Sequence, residues 1–289
     1  MRVIIFCTLT LLILSAACRQ DANLHLPYEG DRIVLNTFIQ ADSPVYIRVT
    51  RSEPVAVLND LQFDELPQAR VTLLENGVHF APVHWQQING RGYFVSELPA
   101  RPGQRYTVTV AAAGLTPVSG SDSLPAQPVI HSLSAQRTAN SIRFILEDPA
   151  AATNYYRIRL YKADSVDGVI QPYQKIDFRL DPAYNNNFAD IISDSYYKDV
   201  VIHDERIAGK KVLLVLQTRD QVNYDYIVAE VSGLSESGYK YLQSLHNQVE
   251  NGQDSTNILG QPIKVYTNIE NGYGIVAGLH ASRISCRVR

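Results

Sequence analysis

The main pattern along the chain after residue 30 is the alternation of apolar and polar positions that marks half-buried β-strands. In residues 44–50, the side chains of Val45, Ile47 and Val49 share one face, and the residues between them share the other. Similar runs predict strands over 32–40, 69–73, 93–95 and 105–110, and over 141–146, 155–161, 211–218 and 224–231. Short strands separated by turns, without helical periodicity between them, are typical of antiparallel sandwiches.

Turn residues separate several of these strands. Asn-Gly occurs at 76–77 and again at 89–90, and Pro-Gly occurs at 102–103. Asn-Gly is the strongest short signal for a β-hairpin, because both central residues of the favoured turn have positive φ. Two hairpins are therefore predicted in the first half of the chain.

One segment has the three- and four-residue spacing of an amphipathic helix instead. Ser235 is suited to cap the start of this helix, and Gly252 is suited to end it. The apolar positions recur at Tyr239, Leu242, Leu245 and Val249. A single helix, without a regular alternation of strands and helices, excludes a doubly wound α/β fold.

The domain organisation is predicted from a proline-rich interruption. Residues 116–128 contain three prolines and little periodicity, which is typical of a connection between domains. The predicted fold is mainly β, with two β-sandwich-like (immunoglobulin- or fibronectin-like) domains over 31–118 and 126–289 and one short helix in the second. Within the second domain, residues 164–199 are rich in Tyr, Asn and Asp and predict long loops with short strands.

The N-terminus has the three-part build of a secretory signal. Met1 and the positively charged Arg2 precede an apolar run over 3–14, and small residues then lead to Cys18. This run is too short for a membrane-spanning helix, which needs about 20 residues. We predict a lipoprotein signal peptide over 1–17, cleavage between Ala17 and Cys18 and lipidation of Cys18, with a polar spacer up to residue 30. The alternative is an ordinary signal peptide followed by a chance cysteine.

Cysteine usage and net charge argue against a disulfide-stabilised protein and against a nucleic-acid-binding protein. The chain has three cysteines, of which Cys7 leaves with the signal and Cys18 is acylated, so Cys286 remains as a single thiol and no internal disulfide forms. Cys286 lies in the alternating run 284–288, which predicts a partly buried residue on a terminal strand. The formal net charge of −3 is not the strongly basic balance of a nucleic-acid-binding protein.

Several segments, taken in order, carry a family resemblance. Cys18 is followed by a β-rich region that ends in PGQRYTV at 102–108, then by YYRI at 155–158, by YKYL at 239–242 and by NIENGYGI at 268–275. With these segments the chain resembles the Bacteroidota lipoproteins grouped as domain-of-unknown-function family 4249. The resemblance spans nearly the whole mature chain.

The resemblance implies a cellular location and a partner protein, but no catalytic reaction. It implies a lipid anchor in the outer membrane, with three acyl chains on Cys18, and a TonB-dependent receptor as a neighbour. It implies no catalytic residue, metal or cofactor, so Cys18 is the one site residue that it transfers. Val276 stands where the family tends to have Phe, which is a minor departure.

Other motifs favour structural roles. Residues 272–277 match a loose dinucleotide-binding fingerprint, but the chain after them is too short for the required helix and strand, so close backbone packing near the last strand is predicted. His79 and His84 have an odd spacing that places them on opposite sides of a strand. The sequence His-Asp-Glu at 203–205 is interpreted as a solvated loop. Solvated loops are also the default for four further carboxylates, Asp164, Asp167, Asp181 and Asp190.

The sequence therefore leads to a hypothesis about function rather than to a site. The leading hypothesis is an outer-membrane-anchored, non-catalytic binding or accessory module that partners a TonB-dependent transporter. The alternatives are a stand-alone glycan- or peptide-binding surface lipoprotein and a hydrolase with an unrecognised site. Tyrosine is favoured in recognition surfaces and equally in strands, so the tyrosine-rich segment (173–197) is a candidate binding surface.

Overall fold

Seventeen strands and one α-helix make up the secondary structure of the described residues, together with a short 3-10 turn. The computed structural model describes residues 28, 30–54, 63–137, 139–185, 195–253 and 264–289. The chain divides into two units. All elements named below lie in the unit formed by Asp31–Glu53 and Leu61–Arg289, and the other unit comprises Met1–Gly30 and Pro54–Asp60.

The strands confirm the predicted fold class, which is mainly β and sandwich-like. In the first half of the chain they are β1 (Ile33–Gln40), β2 (Pro44–Arg51), β3 (Arg70–Glu75), β4 (Val78–His79), β5 (Val83–Ile88), β6 (Arg91–Pro99), β7 (Arg105–Ala111) and β8 (Val118–Ser123). In the second half they are β9 (Val129–Ala135), β10 (Ser141–Glu147), β11 (Tyr155–Val166), β12 (Val169–Lys175), β13 (Phe178–Leu180), β14 (Val200–His203), β15 (Lys211–Thr218), β16 (Tyr226–Leu234) and β17 (Tyr273–Arg287). The helix is α1 (Glu236–Gln253), and the 3-10 turn is Asp204–Arg206.

The described strands form one large sheet and two small sheets. The large sheet has nine strands in the order β12-β11-β16-β17-β1-β2-β6-β5, with β14 also paired to β11. Its pairs are antiparallel except for β1 and β17, which run parallel with Val34 opposite Tyr273. The two small sheets have the orders β4-β3-β7-β8 and β13-β15-β10-β9.

Each small sheet packs against the large sheet over its own hydrophobic core. The first core includes Leu35 and Ile47 from the large sheet and Leu73 and Tyr106 from the sheet of β3 and β7. The second core is built mainly from β11 and β16 on one side and from β10 and β15 on the other; its members include Phe144, Ile158, Leu160, Leu216 and Val231. A fully buried aliphatic side chain of this size contributes about 1.5–3 kcal/mol, so each core is a substantial source of stability.

Both small sheets lie on the same face of the large sheet, because β17 contributes to both cores. Val276 packs in the first core, and Ile284 and Cys286 pack against the second. These residues are separated by even numbers of positions, so their side chains point to the same side of the strand. One long strand therefore belongs to two sandwiches.

The two halves of the chain share more secondary structure than the sequence predicts. The segment 116–128, predicted as a connection, contains β8, which pairs with β7 and places Val118 in the first core. The nine-stranded sheet also takes strands from both 31–118 and 126–289. The division into two domains at these boundaries stays a prediction.

The turns and the helix follow the local sequence signals. Both Asn-Gly pairs, at 76–77 and 89–90, have positive φ at both residues, and they connect β3 to β4 and β5 to β6. Ser235 caps α1, because its Oγ accepts a hydrogen bond from Gly238 N at 3.1 Å. The helix ends at Gln253, one residue beyond the predicted Gly252.

The helix covers the face of the large sheet that is opposite the two small sheets. Phe38 in β1 points away from the first core and meets Tyr241 edge-on, with ring centroids 6.0 Å apart. A side chain at Gly238 would contact both Phe38 and Ala277, so glycine permits the close approach of α1 to the sheet. The result is a three-layer arrangement around β1, β16 and β17.

Two glycines allow the connection between β8 and β9 to cross the large sheet. A Cβ at Gly278 in β17 would lie 2.3 Å from Ser123 O, and one at Gly233 in β16 would lie 2.7 Å from Ala126 O. On the same side of the sheet, Ser282 Oγ donates a hydrogen bond to Pro128 O. The connection is therefore packed tightly against the strands beneath it.

We expect Gly278→Ala to destabilise the protein strongly. The added methyl would meet main-chain atoms of Ser123, which cannot move aside by rotation of a side chain. Overpacking of this kind costs about 3 kcal/mol, which should lower the Tm by about 6–12 °C in a chain of this size. Thermal unfolding measures the change. Ser285→Ala, at an exposed position of the same strand, is the matched control and should leave the Tm nearly unchanged; equal Tm values for the two variants would contradict the prediction.

Candidate functional site

A cleft of about 700 Å³ lies where three segments of the chain meet. These segments are the connection between β8 and β9, the loop between β10 and β11, and the junction of β16 with α1. The lining residues are 122–129, 147–149, 152–156 and 233–236. Clefts of this size are common ligand sites, and this one is the candidate functional site.

Asp122 and Ser235 form the inner corner of the cleft beside the N-terminus of α1. Asp122 Oδ2 accepts a hydrogen bond from Gly278 N at 3.1 Å, and Asp122 Oδ1 accepts one from Ser123 N at 2.8 Å. Burial raises the pKa of the Asp122 carboxyl, and hydrogen bonds from Ser235 and the two amides oppose this effect. The start of a helix also favours negative charge, so the corner is built around a half-buried carboxyl group.

The opposite wall is held by two buried carboxylates that act as structural acceptors. Asp148 Oδ1 accepts a hydrogen bond from the Tyr156 hydroxyl at 2.6 Å, and Asp148 Oδ2 accepts one from Gly209 N at 3.0 Å. Asp204 Oδ2 accepts from Asn154 N at 2.6 Å. Burial, followed by the neighbouring Asp148, raises the pKa of Tyr156, so its hydroxyl remains a donor at neutral pH.

Aromatic and acidic side chains form the rim. The ring of Tyr155 stacks on that of Tyr239 in α1 with centroids 4.7 Å apart, and His203 meets Tyr155 edge-on at 5.0 Å. Glu236 lies at the first position of α1 and forms an ion pair with Lys240 at 2.7 Å. Burial, and then the charge of Glu236, raise the pKa of Tyr155.

The lining is acidic. Among the described residues that line the cleft, the charged ones are all carboxylates: Asp122, Glu147, Asp148 and Glu236. Two of them form ion pairs with lysines outside the lining, Glu147 with Lys211 and Glu236 with Lys240. Carboxylates accept hydrogen bonds and do not donate them when ionised, and the face of a tyrosine ring packs against flat apolar groups. This arrangement suits a ligand that carries hydroxyl or ammonium donors.

The predicted lipidation and cleavage residues, Cys18 and Ala17, lie outside the described residues. The prediction for the 203–205 sequence is wrong in part. His203 ends β14 and Asp204 is only 3% exposed, because the carboxylate of Asp204 fastens the loop between β10 and β11. Sequence reasoning missed this role, since the partner residues are about fifty positions apart.

The other candidate motifs have structural roles. His79 and His84 lie in different sheets, and His84 pairs with Glu97 at 2.5 Å. In the segment 272–277, a Cβ at Gly274 would lie 2.1 Å from Leu35 O, which confirms the predicted close packing of the backbone. The parallel pairing of β17 with β1 requires this approach.

The tyrosine-rich segment does not converge on the cleft. Tyr173 lines a second depression of about 780 Å³. Tyr184 lies beneath the guanidinium group of Arg143, and Tyr197 meets His246 edge-on. The described tyrosines of this segment thus pack against different side chains, and part of the segment lies outside the described residues.

Cys286 is a free cysteine that packs against the second core, which confirms its predicted partial burial. Burial raises the pKa of its thiol. We expect a thiol-reactive probe to label the native chain about tenfold more slowly than the denatured chain, because only the accessible thiolate reacts. The labelling rate should rise with pH. Rapid and complete labelling of the native chain at neutral pH would contradict this prediction.

Within the described ranges, no group of three or more His, Cys, Asp or Glu side chains is arranged to hold a metal ion. Among the same residues, no helix combines the length and the apolar character needed to cross a membrane.

Comparisons with known proteins give one extensive match. The family model described as Domain of unknown function (DUF4249) matches residues 20–285. No curated protein matches the chain. The solved structures "BspA_C_WT" and "BspA_C_mut" each share 6% identity with it. They cover 71% and 73% of this chain and 95% and 96% of their own chains, and their TM-scores are 0.15 and 0.17. Likeness at this level supports no conclusion about this protein.

Proposed function

Since this chain belongs to the family described as Domain of unknown function (DUF4249), we propose that it is an outer-membrane-anchored lipoprotein that acts as a non-catalytic binding or accessory module beside a TonB-dependent transporter. The cleft is the observation that carries the binding role. It is open to solvent, it has an aromatic and acidic rim, and its buried carboxylates are already used to hold the walls. These features support the recognition of a ligand.

The partner role is supported by an exposed apolar surface on the hairpin of β11 and β12. Val166 and Val169 face each other across the turn and are 46% and 61% exposed, and Tyr173 on the same hairpin is 56% exposed. Adjacent exposed apolar groups such as the two valines are typical of sites of protein contact. We assign the transporter contact to this hairpin.

The composition of the cleft favours a second candidate, a stand-alone glycan- or peptide-binding surface lipoprotein. Glu236 would accept hydrogen bonds from the hydroxyl groups of a sugar, and the ring of Tyr155 would pack against the sugar ring. With a peptide, the same two side chains would bind its ammonium group. The two candidates differ in whether a transporter is required.

Affinity capture from detergent-solubilised membranes tests the partner role. The full-length chain should co-purify with a TonB-dependent transporter. Val169→Lys should reduce the recovered transporter at least severalfold, because a charge would be buried in the contact. Val78→Lys is the matched control, since Val78 is a 69% exposed valine next to a different hairpin turn. Recovery of the wild-type chain without a transporter would contradict the partner role.

A binding array of glycans and peptides tests the cleft. Glu236→Gln should weaken binding about tenfold, because it removes a charged acceptor. Glu97→Gln is the matched control, as Glu97 is also exposed and hydrogen-bonded to a neighbouring side chain, His84, but lies on β6. Binding without a co-purifying transporter would favour the second candidate. The absence of both would overturn the binding role.

A further inference from the structure

A row of ion pairs crosses three strands on the face of the large sheet that carries α1. Glu230 in β16 lies opposite Arg159 in β11 and opposite Arg283 in β17. Both arginines bind the carboxylate, with Arg283 Nε 2.7 Å from Glu230 Oε2. Glu230 is 1% exposed. Its charge and its acceptor oxygens are therefore already used by this row.

Arg157 lies beside this row, and among the described residues it forms no ion pair like those of Arg159 and Arg283. It is two residues before Arg159 in β11, so it points to the same face, and it lies opposite Ser232. Arg157 Nε and Ser232 Oγ are both buried, and neither has a hydrogen-bond partner in the described part of the chain. Buried polar groups in folded proteins are nearly always hydrogen-bonded, so the adjacent Arg157 and Ser232 side chains are donors that a bound group could use.

The electrostatics of the surroundings favour an anion. Burial, followed by the charge of Arg159, lowers the pKa of Arg157 to about 10. Burial and then Arg159 also lower the pKa of Lys175, which lies near both arginines and lines the second depression. Asp199 is a nearby acid that acts against these shifts. Even with Glu230 and Asp199 counted, the cluster has an excess of positive charge, and burying such charge without a counterion is costly.

We propose that Arg157 and Ser232 form a binding site for an oxyanion, the carboxylate or phosphate group of a small ligand. The guanidinium group offers donors in a planar fork that matches such anions, and the Ser232 hydroxyl adds a donor from the neighbouring strand. The ring of Phe38 lies 6.0 Å from the Arg157 guanidinium carbon and supports it by a cation–π contact. Neither Arg157 nor Ser232 lines the cleft, and the inference does not rest on the proposed function.

Titration calorimetry on the full-length chain in a non-ionic detergent tests the site. Inorganic phosphate and acetate are the two probes, each at constant ionic strength against chloride, and their relative affinities identify the preferred oxyanion.

Arg157→Gln and Arg157→Lys should each weaken binding of the preferred probe about tenfold, because both lose the guanidinium fork. Ser232→Ala should weaken it about fivefold. Arg143→Gln is the matched control for a change of charge at an exposed arginine, and it should bind as the wild type does.

The proposal fails if neither probe binds the wild-type chain in preference to chloride. It also fails if Arg157→Lys and Ser232→Ala both retain wild-type affinity, since binding would then reflect charge alone. If Arg157→Gln does not fold, Arg157→Lys and Ser232→Ala together still decide the result, because one keeps the charge at position 157 and the other removes a single hydroxyl group.

Discussion

A chain that carries Cys18→Ala is expected to lose its acyl groups and its membrane tether together. The sulfur of Cys18 is the predicted attachment point, and no other residue of the mature chain can replace it. Each buried CH₂ contributes about 0.8 kcal/mol to membrane binding, so stable anchoring needs at least two acyl chains, and their loss releases the protein. The fold should survive, because Cys18 precedes β1 and is separated from it by the polar segment 19–30.

Intact-mass measurement is the decisive readout for this variant. Fractionation alone is ambiguous, since an uncleaved chain would still associate with membranes through its apolar segment at 3–14. The wild-type protein should begin at an acylated Cys18, and Cys18→Ala should carry no acyl mass. Cys286→Ala is the matched control and should keep the full acyl mass. A wild-type N-terminus at another residue, or an unmodified Cys18, would disprove the lipoprotein assignment.

The second large effect is expected for Glu230→Gln. The substitution keeps the shape of the side chain but removes the charge that neutralises Arg159 and Arg283. Breaking a buried ion pair by changing one partner costs about 3–5 kcal/mol. The lower end of this range, about 3 kcal/mol, is expected here, because the side chain of Arg159 is 18% exposed and is left uncompensated, whereas that of Arg283 is 57% exposed and stays solvated. Denaturant unfolding should show this loss. Glu147→Gln is the matched control; Glu147 is a more exposed carboxylate paired with Lys211, and its change should cost at most about 1 kcal/mol.

The same residue predicts a pH dependence. Burial alone would raise the pKa of the Glu230 carboxyl, but Arg159 and Arg283 outweigh burial and hold the pKa below its usual value of 4.5. The stabilisation is therefore complete above the usual glutamate pKa and is lost as the pH falls through the lower folded-state pKa. The difference in free energy of unfolding between the wild type and Glu230→Gln should shrink across this acidic range. A difference that stays constant down to the folded-state pKa would contradict the assignment.

Turns and strands with a clear local sequence pattern could be predicted. The Asn-Gly pairs at 76–77 and 89–90 and the apolar run that forms β15 are recognisable without knowledge of their partners in the fold, and the structure confirms them. β8 was not predicted, because its sequence VSGSDS lacks a clear apolar alternation. It is a strand because β7 pairs with it and because Gly120 fits closely beneath Ile269 and Val276.

The candidate sites depend on contacts that no short segment contains. Asp122 and Ser235 meet only because the connection between β8 and β9 crosses the sheet over Gly278. Arg157 and Ser232 face each other only through the register of β11 with β16. The composition of each segment is ordinary for a solvated loop or an exposed strand face, so sequence reasoning could not distinguish these residues from their neighbours.

The parallel pairing of β1 with β17 has a consequence for how the chain reaches its folded state. Val34 must find Tyr273, so the pairing closes a loop that includes most of the chain and has a large entropic cost before any contact compensates it. Topologies dominated by such distant contacts fold slowly. Until β17 inserts, β1 and β16 each present an unpaired edge that can join another chain. We therefore expect that the interval between the emergence of β1 and the arrival of β17 is the stage at which this protein most needs protection from aggregation.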